Sequence, residues 1–91
     1  LADTLADKLV TEKLAACVQV LPQMTSVYFW EGEIQKDDEY LLLIKTLPEK
    51  YDALEALIHK IHSYDTPEIV AIESAKVSPK YRNWLEGYLG G

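Results

Sequence analysis

Glu55, His59 and His62 stand four and three residues apart, the spacing at which side chains stack along one face of a helix. Two imidazole nitrogens and a carboxylate oxygen suit a divalent first-row metal such as copper or zinc. A solvated helix face explains the same spacing, and an open helix rarely gives a metal the rigid surrounding support it needs. His62 is placed differently from His59, because the apolar periodicity ends beside it. Its imidazolium can close the helix against the negative pole of the dipole, or the neutral ring can ligate a metal; the residues alone leave both open. Cys17 is the one cysteine. It is a soft ligand in principle, but in the run Ala15-Ala16-Cys17-Val18 a lone thiol reads as a small buried hydrophobe. No Ser or Cys lies at a recognisable spacing from a base, and the chain has neither a glycine-rich phosphate loop nor paired cysteines for zinc, so nothing in the sequence points to an enzyme.

The elements that must position these residues follow from periodicity. Leu1, Leu5, Leu9 and Leu14, joined by Ala2, Ala6 and Val10, predict a helix over 1–14. It begins with no capping residue before it. Residues 15–21 suit a buried strand, and Pro22 interrupts its pairing before a long ribbon begins. That ribbon is predicted over 25–35 and 39–47, with the polar Gln35-Lys36-Asp37-Asp38 as its turn. Pro48 and Glu49 open a second helix over 48–62, with Tyr51, Leu54, Leu57, Ile58 and Ile61 facing inward. A turn at 63–67, a strand at 68–73 and a helix from Ser78-Pro79 to the end complete the order.

At about 3.3 Å per residue each ribbon strand is on the order of 30 Å long, so part of the ribbon is expected to project beyond its own core and to be covered by another copy of the chain. Trp30, Tyr64, Trp84 and Tyr88 are expected at such seams, since indole and phenol combine an apolar body with a donor. Glu31, Lys45 and Glu68 either line a polar cleft there or are simply solvated. The element order lacks only a leading strand to be βαββαβ, the ferredoxin-like α+β pattern. The expectation is that about ten residues precede Leu1 or that a strand from elsewhere fills the gap in the sheet, because unpaired buried backbone costs about 1–3 kcal/mol per group.

Composition bounds the function. The 91 residues are 48% hydrophobic with 4 Gly and 4 Pro, the make-up of a single folded domain over 1–91. Fifteen acids against nine bases give a net charge of −6, which opposes nucleic acid or an anionic membrane surface as partner and favours a cationic ligand. No stretch of about 18 apolar residues and no signal-peptide pattern is present. The single cysteine fits a reducing compartment, and the chain reads as cytoplasmic.

Four blocks, Lys13-Leu14-Ala15-Ala16-Cys17-Val18, Thr25-Ser26-Val27-Tyr28-Phe29-Trp30-Glu31-Gly32, Leu42-Leu43-Ile44-Lys45-Thr46 and His62-x-Tyr64-x-x-Pro67-Glu68-Ile69, closely resemble the CutA family of divalent-cation tolerance proteins. The resemblance spans essentially the whole chain. It implies a ferredoxin-like subunit in a homotrimer of PII-like architecture, with the long strands pairing between subunits. It implies an association with copper and other divalent cations, with His62 the residue that carries over to the metal. In animal relatives it implies a role in anchoring acetylcholinesterase. Some members place two adjacent histidines where this chain has Ile61-His62, and a cysteine on a strand ahead of the first helix. The PII-like architecture also admits a signalling or scaffold module that binds a small molecule or protein at the subunit clefts.

Overall fold

The first helix stops earlier than its apolar stripe. The computed structural model describes residues 2–62 and 66–90, and in it α1 spans Ala2–Thr11 with Leu5 and Leu9 buried. Lys8 and Glu12 pair across its outer face at 3.1 Å. Lys13 then takes a left-handed conformation, φ 57°. The Lys13 N–H donates to the Val10 carbonyl at 3.0 Å and the Leu14 N–H to the Leu9 carbonyl at 2.9 Å, the paired bonds of a Schellman motif. Leu14 packs on the cluster that contains Leu9, the apolar contact that accompanies this motif. The periodicity therefore continues to Leu14 while the helix does not.

Strands β1 (Cys17–Val20), β2 (Met24–Trp30), β3 (Glu33–Glu39) and β4 (Leu42–Lys45) follow. They form two antiparallel ladders, β1 with β4 and β2 with β3. Val20 faces Leu42 and Met24 faces Glu39, so residues 21–23 oppose residues 40 and 41. One extra residue on one strand is a β-bulge, and Pro22, which has no N–H to give, sits inside it. The Leu21 N–H still donates to the Leu41 carbonyl at 2.9 Å, so the two ladders are one bent ribbon.

The ribbon turns elsewhere than its polar residues suggest. Gln35, Lys36, Asp37 and Asp38 lie in the β3 ladder opposite Tyr28, Val27, Ser26 and Thr25. The turn is Glu31-Gly32, with φ 51° and 80°, the consecutive positive values of a two-residue hairpin turn. Polar residues carry no penalty in this ladder because almost every residue of β2 and β3 is exposed.

A single turn of 3₁₀-helix at Pro48–Lys50 leads into α2, Tyr51–Ile61, with Leu54 and Ile58 buried. Helix α3 spans Pro79–Gly90 with Leu85 and Leu89 buried. Leu5, Leu9, Ala15, Leu54 and Ile58 form the main core, flanked by Val18, Leu42 and Ile44 of the β1–β4 ladder. Ala16, Leu85 and Leu89, with Leu47 and Tyr88 beside them, form a second and smaller one. Residues 66–78 carry no strand, contrary to the expectation for 68–73. An extended segment becomes a strand only through ladder bonds. Here Pro67–Ser74 and Tyr40–Leu47 instead line a common open groove of about 1740 Å³.

Candidate functional site

His62 ends α2. Its backbone is extended, φ −69° and ψ 141°, while its N–H still donates to the Ile58 carbonyl at 2.7 Å. This places a half-buried imidazole on the wall of the groove that Glu49, Pro67 and Glu68 also line. His62 is thus where α2 ends, beside the stop in apolar periodicity at Ile61. As the last residue with an N–H in the helical ladder, His62 follows His59 by about one turn and Glu55 by about two. His59 is exposed in the last turn of the helix. Glu55 accepts a hydrogen bond from the Tyr51 hydroxyl at 3.1 Å. Partial desolvation, and then this bond and the Glu55 charge, hold the Tyr51 phenol above its ordinary pKa of 10.0.

Among the described residues no three His, Cys, Asp or Glu side chains gather closely enough to hold an ion. The described residues thus contain no closed coordination set. Zinc or copper normally takes three or four protein ligands.

Cys17 opens β1 half-buried. It meets the Tyr81 hydroxyl of α3, whose pKa is raised by desolvation first and by Cys17 second. The thiol is half-buried, where its apolar surroundings led to the expectation of a buried one. The contact with Tyr81 had no sequence signal beyond the Tyr81 and Trp84 pair, whose rings lie 5.6 Å apart.

The aromatic residues separate into two kinds. Trp30 and Trp84 are 47% and 53% exposed. Tyr88 instead serves its own subunit: its hydroxyl donates to the Val10 carbonyl at 2.6 Å, and Lys13 Nζ lies 5.2 Å from its ring centroid. Tyr64 lies outside the described residues. Glu31 accepts from Trp30 Nε1 at 3.0 Å within the turn, Lys45 donates to Gln19 Oε1, and Glu68 is exposed. These three charges do not converge: Glu31 is at the arm's tip, while Lys45 and Glu68 line the groove.

The family model described as CutA1 divalent ion tolerance protein matches residues 1–87. The chain belongs to the CutA1 family. It is similar to the divalent-cation tolerance protein CutA of Thermus thermophilus, 43% identical over 89 residues, covering 98% of this chain and 86% of that protein. It is also similar to the chloroplastic protein CutA 1 of Oryza sativa, 45% identical over 82 residues and 90% of this chain. It spans only 46% of that plant relative's length. The crystal structure of CutA1 from Oryza sativa superimposes with a TM-score of 0.92 at 42% identity, over 96% of this chain and 80% of that one. The fold is accordingly the α+β, ferredoxin-like fold of CutA1 proteins. The family's description names tolerance of divalent ions and no reaction.

Proposed function

We propose that the chain is a divalent-cation binding protein that serves metal tolerance as a homotrimer, with copper as its cation and His62 as one of the ligands. The family assignment supports the cation. The observation that carries the site is the half-buried imidazole of His62 at the end of α2, on the wall of an open groove. Because one described chain supplies no closed donor set, the remaining ligands come from outside those residues, and a neighbouring subunit at the seam is the natural source. The trimer rests on the β2–β3 arm, which leaves Val27, Phe29 and Ile34 at 60%, 68% and 66% exposure.

Calorimetric titration of Cu(II) into the protein tests the site, with His62→Ala, His59→Ala and Cys17→Ala compared after each is shown to be folded. His62→Ala should weaken binding by about tenfold or more, a loss of roughly 1.4 kcal/mol or more, while the other two bind as the parent does. Acid should release the ion, since protonation removes the imidazole lone pair. If Cys17→Ala loses copper and His62→Ala does not, His62 is only the end of a helix. Heat from a nucleotide panel with none from Cu(II) or Zn(II) would favour the small-molecule module at the clefts, for which the groove offers the space.

A further inference from the structure

The β2–β3 arm has two unlike faces. Val27, Phe29 and Ile34 lie on one. Glu33, Asp37 and Glu39 alternate with Gln35 along the other, beside Tyr28 and Trp30, and no base shares that face because Lys36 points the opposite way. Lys76, Lys80 and Arg82 show the inverse pattern: no acid stands between positions 76 and 82, and all three are exposed. Lys80 and Arg82 occupy the first turn of α3, which holds no acid, although the positive pole of a helix disfavours cations there. Val77, Tyr81 and Trp84 add apolar surface alongside, at 36%, 37% and 53% exposure. Among the described residues Lys8–Glu12 is the one ion pair, so neither patch is ion-paired among them.

We infer that in the assembled protein the acidic face of one subunit's β2–β3 arm, Glu33, Asp37 and Glu39, seats on the basic start of α3 in the next subunit, Lys76, Lys80 and Arg82. This rests on the homotrimer proposed above and specifies its partner surface. Charge complementarity selects the occupant: a chain of net charge −6 repels nucleic acid overall, while a second copy presents an acidic surface flanked by aromatic rings. A contact between two different patches that repeats head to tail closes into a ring where the rotation between subunits allows it. Three subunits satisfy that pattern, each arm seating on α3 of the next.

Carbodiimide coupling of the unmodified protein tests this without any variant, using an assembly mixed from ordinary and ¹⁵N-labelled chains. The expected product joins Glu33, Asp37 or Glu39 to Lys76 or Lys80 in peptides carrying one label of each kind. Its yield should fall several-fold when NaCl is raised from about 0.05 to 0.5 M before coupling, as exposed charge pairs are screened. Two charge-reversed variants, Glu33→Lys with Asp37→Lys and Lys76→Glu with Lys80→Glu, should each lower the urea midpoint of trimer dissociation. Combining all four substitutions should restore it. A trimer that yields no mixed-label product between these patches, or a four-fold variant no firmer than either pair, overturns the inference and leaves the trimer standing. A chain that stays monomeric throughout overturns both.

Discussion

Tyr88 fastens α3 to the far end of α1 through one hydroxyl and one ring face. Tyr88→Phe keeps the ring beneath Lys13 and removes only the bond to the Val10 carbonyl. That carbonyl also accepts the Lys13 N–H, so it is not orphaned. The expected loss is about 0.5–1 kcal/mol, read as a lower urea midpoint with an unchanged slope. No change in midpoint would mean that the hydroxyl is equally well satisfied by water. At this scale the sequence reads well where a residue's role depends on its chain neighbours. His62 is marked as a helix end because apolar spacing stops at Ile61. It reads poorly where the role is made by distant partners. Nothing local joins Cys17 to Tyr81, 64 residues later, or commits Tyr88 to α1 rather than to a subunit seam.

The arm shows the same division among elements. Its first strand is legible in Val27 to Trp30, but β3 and the turn before it are hidden by the polar stretch Gln35 to Asp38, and the apolar run from Leu41 to Ile44 marks β4 instead. Polarity marks loops only when strands have a buried face to protect, and this arm has none within its own subunit. The backbone requirement for positive φ is the better guide, and only Gly32 meets it without strain. A Cβ at Gly32 would meet no atom within 4 Å, so Gly32→Ala isolates the backbone cost. It should destabilise the hairpin by about 1–2 kcal/mol, measured as the shift in the unfolding midpoint. A stability equal to the parent's would mean that the turn relaxes to another type. Helix α1 also illustrates termination by geometry, since Lys13 accepts a left-handed conformation that no glycine announces.

Across the whole molecule, the order of helices and strands and the excess of outward-facing aromatic and aliphatic residues are legible from periodicity and strand length. The segment at 68–73 is not, because strand formation there depends on a neighbour across the groove and not on its own alternation. Val70 and Ile72, 70% and 87% exposed, and the bare apolar face of the arm leave more hydrophobic surface in water than a small lone subunit ordinarily tolerates. The proposed trimer would remove that surface together with the unpaired ribbon edges. Both the proposed metal site and the charged contact depend on a trimer built through the arm. Sedimentation equilibrium at micromolar concentration tests it most directly. A single species of three subunit masses, three times 10.3 kDa for these 91 residues, is expected; a stable species of one subunit mass would rule the trimer out.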